Sequence, residues 1–244
     1  MDLSYFVRER TNIIRPFYDK GRVPFEQLKR DIEEEVPPWE PPPVDPDSYD
    51  GEPAYLEDWM RAKQTRELVG MMAVSLLSDT LKLYFAELER ELRIKFVDPK
   101  ERTALFKLGV VEAYRQILEQ IMGDRFASCP VRFDLIEQVI LARNDFAHNA
   151  DIVSFNTRHN RRTLEKHPNP FFVADKEGAE DEGVVRAFGM KIEVSREKLM
   201  EAIEEVERLA DWVQQNNDAI WEWRRSLRDD ATVAEPSPRT STPA

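Results

Sequence analysis

Apolar side chains recur at helical spacing along much of the chain. Between Leu56 and Ile94 there is no proline and only one glycine, and the apolar positions share one face: Leu77, Leu81, Tyr84 or Phe85, Leu88 and Leu92. A second stripe follows Ser195, a good helix N-cap: Leu199, Ile203, Val206, Leu209 or Ala210, Val213, Ile220 and Leu227. The pattern predicts a long helix over Leu56–Ile94 and a last helix over Ser195–Arg228.

Two further helices are expected between these. Asp98 and Pro99 are typical of a helix start, and this helix is expected to run to Met122, before Gly123. The segment Val131–His148 carries a third apolar stripe, with Asn149 as its expected C-cap. These helices predict an all-α, up-and-down bundle of about four core helices.

The remaining segments have other patterns. Residues 1–35 predict one or two short helices, and residues 36–55 form an acidic linker whose many prolines exclude a helix interior. Residues 56–228 are the predicted bundle domain. Residues 229–244 are rich in Ser, Thr and Pro and are expected to be disordered.

One segment within the bundle domain loses the helical period. Residues 150–193 contain Pro168, Pro170 and three glycines. Alternation over Val184–Phe188 and Met190–Val194 predicts a small β-hairpin there. The bundle is therefore expected to carry a small irregular insertion, with a β-hairpin, before its last helix.

The composition excludes several other classes of protein. Eight glycines in 244 residues are too few for the turns of an all-β fold. Cys129 is the single cysteine, which excludes an internal disulfide framework and a multi-cysteine metal site. The chain opens without a leader pattern, and its longest apolar stretch, around Leu68–Leu77, is far shorter than the roughly 20 residues that span a bilayer. We expect no membrane partner and a cytoplasmic location.

The charge is concentrated in two segments. Of the net charge of −12, residues 31–60 carry −11 and residues 175–182 carry −4, so the rest of the chain is at +3. The acidity therefore does not exclude a nucleic-acid partner for the helical body.

The chemically informative segment is the third predicted helix. At about 100° per residue, Arg143 falls inside an apolar stripe, while Asn144 and His148 lie four residues apart on its flank. An arginine in such a stripe is costly unless it is paired or faces a charged group. Two interpretations remain open: an ion pair with an acid on a neighbouring helix beside a structural histidine, or an Arg–His pair that acts on a phosphodiester.

The six residues Arg143-Asn144-Asp145-Phe146-Ala147-His148 resemble the signature of the HEPN superfamily, which is an arginine, usually a polar residue next, and a histidine a few residues later. In that family the signature lies on a late helix of an all-α bundle and another helix follows it. The resemblance covers roughly Leu56–Arg228. It implies a metal-independent endoribonuclease in which the 2′-oxygen attacks the adjacent phosphate and leaves cyclic-phosphate ends.

The resemblance also implies residue roles and partners. Arg143, Asn144 and His148 would be catalytic, with no metal and no cofactor, at a site formed where two copies meet in a homodimer. RNA would be the substrate. Many members belong to toxin–antitoxin, abortive-infection or other antiviral defence systems, which implies an inhibitory or antitoxin protein. Other members have lost catalysis, so the alternative is a non-catalytic helical module that binds a protein or nucleic-acid partner.

A basic segment follows the motif within the insertion. It contains His159, His167 and four basic residues, which are the candidate RNA-binding residues: Arg158, Arg161, Arg162 and Lys166. The segment is interpreted either as a solvated loop or as a patch that tracks phosphates.

Other candidates are weaker. The spacing of His148, His159 and His167 fits no metal-ligand pattern, so no metal site is predicted. Cys129 has no adjacent base and is interpreted as a buried or neutral thiol. The last-helix tryptophans are expected to be core or dimer-interface residues: Trp212, Trp221 and Trp223.

Overall fold

The computed structural model describes residues 2–43, 52–92, 99–148, 157–174 and 189–233. Within these ranges the protein is an all-α bundle, as predicted, without any regular β-strand. The helices are α1 (Leu3–Gly21), α2 (Val23–Glu33), α3 (Leu56–Leu92), α4 (Pro99–Phe106), α5 (Val110–Met122), α6 (Phe133–His148), α7 (Arg161–Lys166), α8 (Arg196–Gln215) and α9 (Asn217–Val233). A 3₁₀ turn, Gly123–Ser128, follows α5.

Helix α3 is the centre of the bundle, where it contacts α1, α2, α6 and α8. Its predicted core positions are all buried, including both Tyr84 and Phe85. Gly70 allows close packing at the start of this core, because an added Cβ would lie 3.0 Å from the Cβ of Val194. The stripe predicted after Ser195 is buried as far as Ile220, and the Ser195 side chain caps α8 by accepting from the Lys198 N–H.

The apolar character of α3 follows from its central position. An 18-residue window of α3 has a mean hydropathy of 1.4. By length and composition alone, the helix is therefore long and apolar enough to cross a membrane. In the fold, 56% of that window is buried inside the protein. This burial is expected of a core helix, whose length and apolar composition can equal those of a membrane-spanning helix.

Helices α1 and α2 pack against the bundle, both of them on α3. Val7, Ile14 and Tyr18 of α1 join the main hydrophobic core. Glu207 of α8 accepts hydrogen bonds from Thr11 and from Arg15 of α1. The N-terminal segment is therefore integrated into the bundle by both apolar packing and a half-buried ion pair.

Two helices expected to be continuous are each divided in two. The helix predicted over Asp98–Met122 breaks at Gly109, whose φ of 113° is strained for any residue with a Cβ. The helix predicted over Ser195–Arg228 breaks at Asn216, whose side chain and backbone N–H both bond to the Trp212 carbonyl. Both predictions were wrong because the apolar period continues through each break.

The C-terminal tail was also predicted to begin too early. Helix α9 continues to Val233, so residues 229–233 are helical. Residues 234–244, the Leu227 side chain and the caps expected at Asp98 and Asn149 lie outside what the structure describes.

The insertion is partly helical and is packed against the bundle. Residues Arg161–Lys166 form α7, which the sequence did not predict. Phe172 is fully buried and Ile192 is 4% exposed, and both belong to the main core. The described half of the expected hairpin, residues 190–192, pairs with residues 157–159 through two backbone hydrogen bonds, His159 N–H to Met190 and Ile192 N–H to Thr157. Its expected partner, Val184–Phe188, lies outside the described residues.

The described ends of the proline-rich linker meet at the start of α3. Trp39 and Tyr55 stand edge to face with their ring centroids 5.2 Å apart. The Tyr55 hydroxyl donates to the Glu40 carbonyl at 3.1 Å. These contacts hold the two ends of the linker together beside α2.

Candidate functional site

The last turns of α6 point side chains in two directions. Asn144 and Arg143 are half-exposed, and His148, at the end of the helix, is exposed. Asp145, between them in sequence, is completely buried. Because 145 lies about 200° from 143 on a helical wheel, the same turn has an outer and an inner surface.

Arg143 lies where the apolar stripe of α6 leaves the core. Ile136 and Ile140 are buried, but Ala147, further along the same stripe, is exposed. The apolar spacing thus continues past the region that neighbouring helices cover. Arg143 keeps 31% of its side chain exposed and is not stranded in the core.

An acid and a second cation on α3 lie beside Arg143. Its Nε is 3.9 Å from Oδ1 of Asp79, and the Lys82 Nζ is 4.0 Å from that same oxygen. Burial and then the Arg143 guanidinium lower the pKa of the Lys82 ammonium, while Asp79 opposes the shift. The exposed Asp79 carboxylate therefore lies at the outer limit of ion-pair distance from both Arg143 and Lys82.

Asn144 is turned towards Arg143. Its Oδ1 accepts from Arg143 Nη1 at 3.5 Å, which is the outer limit of a hydrogen bond. His148 makes no hydrogen bond or ion pair with any other described residue. This arrangement leaves the imidazole available to solvent or to a ligand.

The three histidines of the chain have different surroundings. His159 is 5% exposed, and His167 is mostly buried with its Nε2 3.0 Å from Glu137 Oε2. Only His148 is exposed. Of the three, it is the one with direct access to a substrate at the protein surface.

A buried polar cluster lies on the inner side of the same turn. Asp145 Oδ2 is 3.1 Å from His159 Nδ1, and its Oδ1 accepts from the Asn160 amide. His159 Nε2 is 3.2 Å from the Phe172 carbonyl oxygen. Both ring nitrogens of His159 therefore lie within hydrogen-bond distance of an oxygen, one from Asp145 and one from the Phe172 carbonyl.

The same face of α6 holds the insertion at a second point. Gln138 lies seven residues before Asp145, and its Oε1 accepts from the Phe171 N–H at 2.7 Å. Asn160 also caps α7 by accepting from the Thr163 N–H. The insertion is thus anchored on α6 directly behind the candidate site.

The candidate RNA-binding residues do not form one free cluster. Arg158 is half-buried and donates to the Gly189 carbonyl, and Lys166 pairs with Glu137 at 2.6 Å. Arg161 is highly exposed and contacts Glu165 on its own helix. Arg162 is exposed and has no ion pair with another described residue.

The sequence did not indicate the roles of four residues around the motif: Asp79 and Lys82 beside Arg143, and the buried pair Asp145 and His159. Asp79 and Lys82 belong to a distant helix, and no local pattern connects them to Arg143. A signal did exist for Asp145: it follows Gln138 by seven residues, so α6 has a polar edge beside its apolar stripe.

The cysteine and the tryptophans singled out in the sequence differ in how deeply they are buried. Burial raises the pKa of the Cys129 thiol, which keeps it neutral as interpreted. Trp212 is a core residue and Trp223 packs partly against the core, whereas Trp221 is exposed. In the part of the chain that the structure describes, no three His, Cys, Asp or Glu side chains are grouped to hold a metal ion.

Comparison with known proteins adds no relative. No family model, no curated protein and no solved structure matches this chain. The fold is an all-α bundle. Any proposal about the function of the protein must be argued from the chemistry of the candidate site.

Proposed function

We propose that this protein is a metal-independent endoribonuclease of HEPN type whose active site contains Arg143, Asn144 and His148. The observation that carries the proposal is the exposure of His148 at the end of α6, five residues after a half-exposed Arg143. A buried, fully bonded Asp145 supports the same helical turn from inside. A histidine that exchanges protons and an arginine that binds phosphate are the groups that RNA cleavage by transesterification requires.

The reaction uses the RNA's own nucleophile. The 2′-oxygen bonds to the adjacent phosphorus, the bond from phosphorus to the 5′-oxygen breaks, and a cyclic phosphate and a 5′-hydroxyl result. His148 exchanges a proton with the 2′-hydroxyl or with the leaving oxygen. Arg143 balances the charge that gathers on the phosphoryl oxygens, and Asn144 orients the guanidinium through its Oδ1.

A homodimer completes the site in this proposal. The reaction removes one proton and delivers another, and each chain offers one exposed histidine. On α3, Asp79 lies within an exposed apolar stripe formed by Met72, Leu76 and Leu83. Pairing of this stripe between two chains would bring two copies of Arg143 and His148 together.

The exposed part of α7 would extend the contact with RNA. Arg162 and Arg161 are the most exposed of the four and would contact phosphates, with Arg161 leaving its contact with Glu165 on the same helix. Arg158 and Lys166 would contribute mainly to the electrostatic potential, because they already bond to the Gly189 carbonyl and to Glu137. Such a nuclease fits a toxin–antitoxin or phage-defence setting, with a cytoplasmic location and an inhibitory protein to restrain it.

The alternative is a helical module that binds a partner without catalysis. The contact of Arg143 with Asp79 favours it, because this is the ion pair with a neighbouring helix that a structural arginine would make. The two functions differ in whether RNA is cut.

The test is cleavage of a labelled single-stranded RNA by the pure protein in EDTA. Wild-type protein is expected to yield cyclic-phosphate and 5′-hydroxyl ends and to leave DNA and 2′-methoxy RNA intact. His148→Ala should lose roughly 10²–10⁴ in rate, which is the usual contribution of general acid–base catalysis. Cleavage that requires Mg²⁺, or equal cleavage of DNA, contradicts the assigned roles.

A matched histidine variant separates chemistry from folding. His167 contacts Glu137, which lies eleven residues before His148 on α6, or about 16 Å along the helix. His167→Ala should therefore keep most of the cleavage activity. If wild-type protein free of inhibitor cuts no RNA, the non-catalytic module is the better description.

A further inference from the structure

An aromatic pocket lies far from the motif, where the end of α2, the linker and the start of α3 meet. It has a volume of about 490 Å³ and is lined by Trp39, Tyr55 and Trp59 together with Glu33 and Glu35. We propose that this aromatic pocket binds an arginine or lysine side chain from a basic segment of a partner protein. The inference is independent of the proposed nuclease activity.

The pocket walls are held by specific contacts. Trp39 and Tyr55 meet at 88°, and the Trp59 Nε1–H donates to Glu33 at 2.7 Å. Glu35 and Tyr55 have φ values of 54° and 59°, and they are the non-glycine residues with positive φ among those described. Such backbone conformations persist only where the surrounding structure enforces them, and they concentrate at ligand-binding sites.

The chemistry of the pocket favours a cation. The faces of tryptophan and tyrosine rings attract ammonium and guanidinium groups. The chain shows this preference itself, because the Lys29 ammonium lies 4.6 Å from the Trp59 ring centroid without lining the cavity. Among the described residues, no lysine or arginine side chain lies over the rings of Trp39 and Tyr55, which meet each other edge to face.

The surroundings favour a polypeptide over a small organic cation. Residues 31–60 contain eleven acids and no lysine or arginine. Around the pocket, the exposed carboxylates of Glu34, Glu35 and Glu40 form no ion pair with another described residue. A single small cation would use only the pocket, whereas a basic segment would also pair with the acids that surround it. RNA is repelled from this surface by the same charge.

The experiment titrates the full-length protein with a fluorescein-labelled peptide of five Arg-Gly repeats and follows fluorescence anisotropy. Trp39→Ala is expected to weaken binding about fivefold or more, because it removes an aromatic wall without changing the charge. Glu35→Gln should weaken it by about twofold to threefold. Trp39→Leu, which keeps apolar bulk, should lose nearly as much as Trp39→Ala.

Matched controls lie on α8 and α9, which supply none of the residues that line the pocket. Trp221→Ala removes an exposed tryptophan from α9, and Glu204→Gln removes an exposed acid from α8, so both should leave affinity within about 1.5-fold of wild type. A peptide with glutamate in place of arginine should not bind. Equal affinity for wild type, Trp39→Ala and Trp39→Leu would overturn the proposal, since binding would then reflect acidity alone. Tetramethylammonium that binds as tightly as the peptide would overturn the assignment to a protein segment.

Discussion

Within the last turn of α6, neighbouring residues meet opposite environments. Arg143 and His148 reach solvent, whereas Asp145 is completely buried and bonded to His159 and Asn160. Substitution of Arg143 or His148 therefore tests the proposed chemistry, whereas substitution of Asp145 tests the packing of the insertion on α6. At this scale Asp79 bears most directly on the proposed role of Arg143, because its Oδ1 lies 3.9 Å from the guanidinium Nε.

Replacing Asp79 by asparagine tests that competition directly. Removing a carboxylate about 4 Å from both Arg143 and Lys82 raises the local positive charge. A unit charge at that distance in water is worth about 1 kcal/mol, so affinity for an uncleavable 2′-methoxy RNA should rise roughly fivefold at low salt. Fluorescence anisotropy measures the change.

The matched control for that variant is Asp58→Asn. Asp58 is on the same helix, 21 residues or about 31 Å away, so its removal should change RNA affinity much less. If Asp79→Asn leaves the affinity unchanged and lowers the melting temperature instead, Arg143 is a structural residue.

The sequence predicted the outer side of the α6 turn better than its inner side. Arg143, Asn144 and His148 could be proposed from spacing because the motif is local, and their proposed roles stay a prediction. Burial of Asp145 depends on His159 and Asn160, which lie in an insertion whose folded path no periodicity describes. The partners of Arg143 on α3 likewise depend on packing between distant segments.

At the scale of elements, α6 holds together three parts of the protein. Its apolar stripe packs in the core, its polar edge anchors the insertion through Gln138 and Asp145, and its last turn carries the candidate site. The position of the candidate site relative to the insertion therefore depends on Asp145, a buried acid that takes no part in the proposed chemistry.

Asp145→Ala is expected to release the insertion from α6. It leaves His159 Nδ1 and the Asn160 amide unpaired in a buried place, which costs about 2–5 kcal/mol of unfolding free energy. Urea unfolding measures the loss, and hydrogen exchange over residues 157–167 should rise locally. Asp145→Asn should lose less, since an asparagine keeps an oxygen that can accept from the Asn160 amide and a second polar group beside His159 Nδ1.

An exposed acid on the same helix provides the comparison. Asp134 lies in the first turn of α6, where a negative charge contributes about 0.3–1 kcal/mol through the helix dipole. Asp134→Asn should stay within that loss and leave exchange over residues 157–167 unchanged. Equal losses for Asp134→Asn and Asp145→Ala would show that the buried cluster does not hold the insertion.

Helix positions were predictable from the sequence, but helix ends were less so. The stripes of α3 and α8 were correct because apolar period reflects burial on one face. Gly109 and Asn216 interrupt helices whose stripes continue in register, so period alone could not reveal the breaks. The core role of Phe172 was also hidden, because a single buried aromatic residue in an irregular segment has no periodic signal.

At the scale of the whole molecule, most of the acidic charge is separated along the chain from the motif and α7. The acidic residues 31–60 begin at the end of α2 and include the start of α3, while the motif and α7 belong to the near-neutral remainder of the chain. This separation gives a long acidic chain a surface that an anionic substrate can approach.

The double variant Arg161→Ala, Arg162→Ala tests whether α7 contacts RNA. Each lost phosphate contact should reduce the slope of log affinity against log salt by about 0.7 for a single strand, so the two together should reduce it by about 1.4. The double lysine variant should retain both affinity and slope. Arg158 is left unchanged because its side chain donates to the Gly189 carbonyl. An unchanged slope in the alanine variant would show that α7 is only a solvated surface.

Dimer formation is the molecular property on which the proposed reaction depends. Leu76 and Leu83 are 42% and 48% exposed on α3, and Phe6 of α1, which is 50% exposed, lines a surface groove together with Leu83. Burial of such side chains against a second copy would favour association, since removing apolar area from water contributes about 25 cal/mol per Å² before association costs. Leu76→Glu should therefore convert a dimer to a monomer in light scattering at micromolar concentration.

The same variant should abolish RNA cleavage even though the Arg143 and His148 side chains of each chain remain intact. Leu108→Glu is the control, because Leu108 is 52% exposed between α4 and α5, and it should leave both mass and cleavage unchanged. Mixing His148→Ala with wild type should reduce activity more than dilution does, since mixed dimers contain one histidine where two are needed. A wild-type monomer that cuts RNA would contradict this prediction and would mean that one chain contains the complete site.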